Sequence, residues 1–366
     1  MSKYLYLSFV ALLMMVVSLV SFKFGSKTKD VVPNKILSPS PYSAPTKTSL
    51  SPSEIGVWIA YWDEIPSIVS LRAASKEIKT ISPVWYRLES DGTLIGTKYS
   101  KWQDIMDIAT SSGMVVMPTI NNEFDGGFDP VRVSKILNDE YLSNNLINQL
   151  VEVASEKKYQ GWDIDWEQIK ASDKDAFTGF IKKLSEQFHG KGLRLSVTVH
   201  AQTGDSNEWL GTRGQDLSGL SIFADEIRIM AYDFHYSDST PGPITPLSSL
   251  EAVLKYTSEK VPQNKLVLGL PLYGYDWVGE KGESVQYEEA KSLLKLYSSV
   301  EERDDASKEL KAKYTVNGIE HEVWFQDSES VGQKILLARK YGVYKFFFWR
   351  LGKEDPLVWT SYDKYK

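Results

Sequence analysis

From Ile55 onward, short apolar and β-branched runs alternate with longer stretches of helical periodicity. The runs are 55–61 (IGVWIAY), 80–86 (TISPVWY), 114–120 (MVVMPTI), 161–167 (GWDIDWE), 193–199 (LRLSVTV), 225–232 (DEIRIMAY), 265–273 (KLVLGLPLY) and 344–349 (YKFFFW). Between them, 101–113, 144–158, 173–188, 247–260 and 329–342 repeat apolar residues at helical spacing. Asp173 or Ser172 is expected to cap the helix over 173–188, with Gly190 or Gly192 past its end. Strands alternating with helices imply parallel pairing through crossover helices. Eight such units predict an α/β fold, a closed (β/α)8 TIM barrel. The alternative is an open doubly wound sheet, which usually carries a Gly-rich first turn, and no GxGxxG is present. The longest interval separates the last two runs. It predicts a small α+β insertion at about 276–327, with a helix over 288–299 and a hairpin turning at Asn317-Gly318.

The pattern changes at the N-terminus. Residues 4–22 carry no charge, and at about 1.5 Å per residue a helix of that length matches the ~30 Å hydrocarbon core. The run exceeds the usual signal-peptide core and no A-x-A site follows, so a membrane anchor is expected over a cleaved signal. Residues 30–53 are rich in Pro, Ser and Thr and read as a linker. The expected organisation is therefore an anchor or signal segment at 1–29, a linker at 30–53 and a folded domain at 54–366.

Composition narrows the chemistry. The 366 residues are 42% hydrophobic and 25% charged, as in an ordinary globular protein. A net charge of −6 argues against nucleic acid as a partner. The absence of cysteine excludes disulfides, thiolate metal sites and thiol catalysis. Four histidines (His189, His200, His235 and His321) form no HExxH and no close pair, so no metal and no cofactor are expected.

The residues that carry chemistry lie in YQGWDIDWEQ, 159–168. On a strand, Asp163, Asp165 and Glu167 point one way and Trp162, Ile164 and Trp166 the other. The second set suits packing against helices. The first would line a barrel interior up to its C-terminal end, where barrel active sites lie. Clustered carboxyls in a partly dry site cannot all ionise, so at least one must hold its proton to higher pH.

These residues resemble the DxxDxDxE signature of glycoside hydrolase family 18, the chitinase-like enzymes, with Gln160 in place of the first acid. MAYDFH (230–235), LGLPLYGYDW (268–277) and FFFWRLGKEDP (346–356) resemble the family's strands six, seven and eight. The family's S-x-G-G on strand three is absent. PTINNEFDGGFDP (118–130) stands there, more like the bacterial spore-cortex and peptidoglycan-directed glucosaminidases.

The resemblance implies substrate-assisted, retaining hydrolysis next to N-acetylglucosamine in peptidoglycan or chitin-like glycans. It assigns Glu167 as the acid. Asp165 would orient the substrate acetamide, Asp163 would share a proton with Asp165, and Tyr232 would donate to the acetamido oxygen. Trp349 would floor a sugar. Asp233, Asn121, Asn122, Tyr61 and Tyr273 are expected to bind substrate. Trp62, Trp85, Tyr86 and Trp277 are rim aromatics left open between sugar platform and core. A catalytically silent sugar-binding protein is the alternative, and the presence of Glu167 favours the enzyme. A monomer is expected, working outside the membrane although Lys23, Lys27 and Lys29 follow the apolar run and only Lys3 precedes it.

Overall fold

The computed structural model describes residues 54–97, 101–204 and 210–361. The apolar run at 4–22 and the linker at 30–53 lie outside the described residues. The barrel strands are β1 (Glu54–Ile59), β2 (Ile78–Leu88), β3 (Thr119–Asn121), β4 (Gly161–Asp165), β5 (Arg194–His200), β6 (Glu226–Met230), β7 (Leu266–Pro271) and β8 (Lys345–Trp349). Each pairs in parallel with the next, and β8 pairs in parallel with β1, which closes the (β/α)8 barrel expected from the pattern.

The third run is interrupted. Val115–Val116 pairs with β2, then β3 resumes at Thr119. Pro118 lies between them and has no N–H to give a ladder, though its carbonyl accepts from Asp163 N at 3.0 Å. The fourth run also ends early as a strand, at Asp165. Glu167 lies past it, and Gln168 adopts a left-handed φ of 56°.

Strand alternation sorts β4 as the sequence indicates. Trp162, Ile164 and Trp166 are fully buried against the helices. The Trp162 indole donates to the Leu150 carbonyl at 2.9 Å, on the helix Glu140–Lys157. Trp166 stacks on Phe180 of the helix Lys174–His189, with ring centroids 4.9 Å apart. Burying a side chain such as Ile164 contributes roughly 1.5–3 kcal/mol. Gly161 opens the strand because a Cβ there would fall 2.2 Å from the Arg194 carbonyl oxygen on β5. Asp173 sits at the N-cap of Lys174–His189 but makes no capping bond there. Its carboxylate instead accepts from the Asn138 amide at 3.1 Å.

The run over 265–273 does not stay in the barrel. β7 stops at Pro271, and Tyr273–Val278 belongs to a second, five-stranded antiparallel sheet with Lys281–Gln286, Ile319–Phe325, Leu310–Val316 and Glu302–Arg303. The helix Tyr287–Leu296 packs on this sheet. Its hairpin turns at Asn317-Gly318, both at positive φ (50° and 82°) as a two-residue primed turn requires. The insertion thus begins at Tyr273 and brings its first strand to the barrel mouth.

Candidate active site

Alternate residues of the barrel strands point inward, and the lower interior they fill is largely polar. Asp163 is its centre and is fully buried. Its Oδ1 accepts from Ser196 (2.8 Å) and Thr198 (2.9 Å) on β5. Its Oδ2 accepts from the Trp58 indole on β1 (3.0 Å) and from Thr119 on β3 (2.9 Å). The buried Arg228 guanidinium of β6 lies 3.4 Å from the same Oδ2. A carboxylate offers about four lone-pair sites, and these donors fill them. The expected proton sharing between Asp163 and Asp165 therefore finds no free acceptor on Asp163.

Arg228 is held in turn. It donates to Ser82 Oγ at 2.7 Å, pairs with Glu226 at 3.1 Å, and its guanidinium lies 3.7 Å from the Phe347 ring centre. Burial works against ionising Glu226, but Arg228, Arg194 and Lys345 together hold its carboxyl below the ordinary range.

One step higher the environment reverses. Oδ1 of Asp165 is buried and receives no hydrogen bond among the described residues. Burial, then the charges of Glu167 and Asp163, push the Asp165 carboxyl well above the usual carboxylate range. Tyr232 follows β6 and faces the same acids. Burial, then Asp165, Asp233, Glu167 and Asp163, raise its phenol well above the ordinary value, so the hydroxyl keeps its proton to donate.

Glu167 is set in place through its backbone. The Asn122 side chain accepts from Glu167 N–H at 2.9 Å and donates to the Glu167 carbonyl at 3.0 Å. It also donates to the Asp129 carbonyl at 3.2 Å, and Asn122 is fully buried. Asn122 is therefore a clamp on the backbone that carries Glu167, and the expectation that it meets substrate is corrected. Asn121, buried beside Asp165 in register, accepts from Glu123 N–H through its side chain at 3.3 Å.

On the opposite wall, Tyr273 and Tyr275 both donate to Oδ1 of Asp233, Tyr275 at 3.2 Å and Tyr273 in a shorter contact. Asp233 faces solvent at the mouth while protein walls it in. That burial pushes its carboxyl up to about 6, against the pull of the two phenols. Trp349 ends β8, its ring centre 6.3 Å from Trp58 and 6.1 Å from Trp62. Trp62 is 54% exposed and packs edge-on against Tyr61, with centroids 4.8 Å apart, so both belong to the rim. Trp85, Tyr86 and Trp277 do not line it. The Trp85 indole donates to Glu64 at 2.8 Å, Tyr86 packs on Trp162 and Tyr159, and the buried Trp277 donates to the Tyr236 carbonyl.

The structure thus brings Asp163, Asp165, Glu167, Tyr232, Asp233, Tyr273 and Trp349 to one end of the barrel. Sequence reading did not single out Trp58, Thr119, Ser196, Thr198, Arg228, Tyr275 and His200. The available signal was the polar side of β5, where Ser196, Thr198 and His200 alternate with the buried Leu195, Val197 and Val199.

Comparison with known proteins agrees with this geometry. A Bacillus subtilis protein named as a sporulation-specific glycosylase, YdhD, is 33% identical over 241 residues, covering 64% of this chain and 57% of that protein. The cortical fragment-lytic enzyme of Bacillus subtilis is 24% identical over 295 residues, covering 79% and 68%. The chain thus spans little more than half of the first relative and about two thirds of the second. The crystal structure of the Bacillus cereus spore cortex-lytic enzyme SleL superposes with a TM-score of 0.79 at 24% identity, over 86% of this chain and 74% of that one, and supports the fold. The sequence profile of glycosyl hydrolases family 18 matches residues 57–354, and the chain belongs to that family.

Proposed function

We propose that this protein is a retaining glycoside hydrolase that cuts next to N-acetylglucosamine in a cell-wall glycan, peptidoglycan ahead of chitin. One observation carries the reading. Asp165 Oδ1 is a buried acceptor without a donor among the described residues, and it shares the mouth with Glu167 and the protonated Tyr232. A buried acceptor left unmade costs about 1–3 kcal/mol, and an acetamide N–H supplies the missing donor. The Tyr232 hydroxyl then donates to the acetamide oxygen and turns it toward the anomeric carbon. Glu167 protonates the leaving oxygen as the acetamide oxygen attacks, and the oxazolinium that forms is flanked by Asp165. Water opens it with Glu167 as base, and configuration is retained. Trp349 and the exposed Trp62 offer flat apolar faces for sugar rings.

The relatives named for cortex lysis and sporulation support peptidoglycan as the substrate. So does the strand-three segment 118–130, which departs from the chitinase pattern. Such a substrate lies outside the cytoplasmic membrane, with the apolar run at 4–22 as the segment to hold the domain there. Protease accessibility on intact cells tests that placement, and full protection contradicts it. The function is tested by digesting purified peptidoglycan and chitin oligomers with the full chain and with Glu167→Gln. The expected products are muropeptides with N-acetylglucosamine at the reducing end, absent with the variant. Products from neither glycan would overturn the reading.

A further inference from the structure

We propose that His200 is the proton partner of Glu167: the two side chains hold one proton between them. The proposal rests on Glu167 being the general acid of the reaction above. His200 ends β5 and Glu167 lies just past the end of neighbouring β4. Nε2 of the imidazole stands 3.0 Å from Oε2 of the carboxyl, and the side chains are only 14% and 13% exposed.

The approach is built from both sides. The Gln215 side chain accepts from His200 N–H at 3.0 Å and donates to the Trp166 carbonyl at 3.2 Å, so one amide ties the ends of β5 and β4 together. The Gln215 carbonyl accepts from the Gln202 amide at 3.1 Å. Asn122 holds the far side of Glu167.

Other titratable groups share this space. Asp165 faces the mouth from β4, Tyr232 and Asp233 face it from the segment after β6, and Asp163 lies one step lower. Arg228 lies lower, against Asp163 and Glu226. Asp165 and Tyr232 hold their protons and Arg228 offsets Asp163, so the Glu167 carboxylate is the negative neighbour in contact with the ring, and such a neighbour stabilises an imidazolium.

The proton balance is simple. A protonated Glu167 beside a neutral imidazole and an ionised Glu167 beside an imidazolium contain the same proton. In the first state Glu167 delivers it to the leaving oxygen, which leaves a carboxylate and a neutral ring. In the second the proton waits on the imidazole, whose Nε2 stands 3.0 Å from the carboxyl. When water opens the oxazolinium, its proton returns to the pair through Glu167. In this scheme His200 acts through Glu167 and is a positioning residue.

The test is the pH dependence of kcat and KM for the full chain, His200→Gln and Gln215→Met, on one N-acetylated oligomer that the wild type cuts. An isolated carboxylic acid releases its proton about two pH units below an imidazole, so the alkaline limb of kcat in His200→Gln is expected to fall by about one unit or more. KM should change little. Gln215→Met should lower kcat and leave the limb where it is, because it loosens the mouth without removing the partner. An alkaline limb in His200→Gln that stays put, or moves upward, overturns the proposal.

A second measurement does not depend on turnover. With ¹⁵N-histidine labelling, the His200 signal is identified by its loss in His200→Gln. It should titrate at higher pH in the wild type than in Glu167→Gln, and equal midpoints would count against sharing. A wild type that hydrolyses nothing sinks the proposed function, while the imidazole titration still decides whether the proton is shared.

Discussion

The lower interior of the barrel and its mouth lie one strand step apart, yet they treat a carboxyl in opposite ways. Asp163 takes four hydrogen bonds from four side chains on three strands, with Arg228 beside it. Asp165, two residues on, keeps one oxygen buried without a donor among the described residues, and its proton is held well above the usual range. The two sites share strand, spacing and residue type and differ only in what the neighbouring strands contribute. Below, β1, β3, β5 and β6 supply hydroxyls, an indole and a guanidinium. Above, they supply a phenol and more acids. The lower site is complete without substrate and belongs to stability. On the proposed reading, a ligand that brings an N–H completes the upper site, and barrel active sites lie at this end.

The sharpest break of this contrast removes the acid alone. Glu167→Gln should lower kcat by about 10³-fold or more while thermal unfolding stays near the wild type, as expected for a group acting mainly in the transition state. A large fall in Tm would place Glu167 among the structural residues instead.

The next effect is on stability. Asp163→Ala takes from the buried Arg228 one of its two carboxylates, leaving Glu226, and orphans the donors around it, at a cost of about 3–5 kcal/mol. Asp165→Asn should behave oppositely, losing activity at little cost in stability. The sign follows from its raised carboxyl. The native state holds the Asp165 proton more tightly than the unfolded chain does. Ionisation of this group therefore subtracts stability as pH rises from about 4, the unfolded value, toward the higher folded one. In denaturant titrations across pH, Asp165→Asn should flatten that decline. A variant that loses stability at neutral pH would contradict the assignment.

Smaller still is Asn122→Ala, which frees the backbone at Glu167. It should cost about 1–3 kcal/mol for the buried groups left unpaired and lower kcat more than it raises KM, by steady-state kinetics. The mildest change is Tyr273→Phe. With one phenol donor gone, the Asp233 carboxyl, now at about 6, should titrate higher still, as read by carboxyl NMR. A shift to lower pH would show that the phenol is not stabilising the charge.

The barrel was legible because each strand repeats one rule, apolar residues toward the helices, and because the helices announce themselves by period. The acids at 163, 165 and 167 were legible because they alternate with Trp162, Ile164 and Trp166, although the strand itself ends at Asp165. Their partners were not. Trp58, Thr119, Ser196, Thr198 and Arg228 are far apart in sequence and meet only when the sheet closes, so no local spacing marks them. Asn122 read as a substrate-binding residue because an asparagine's hydrogen bonds to backbone leave no pattern in its neighbours. Trp85 and Tyr86 read as rim aromatics, yet they pack away from the mouth and find partners in Glu64 and Tyr159. The start of the insertion was placed a few residues late because Tyr273 continues the apolar run of β7 while pairing in another sheet.

Central to this account is that the substrate's own acetamide completes the mouth. The most direct measurement follows the anomer released from an N-acetylated oligomer by NMR in the first minutes of reaction, beside the same oligomer without its acetyl groups. The account predicts β-anomer at the new reducing end and no cleavage of the deacetylated glycan. Release of the α-anomer, or efficient cutting of the deacetylated oligomer, would contradict it.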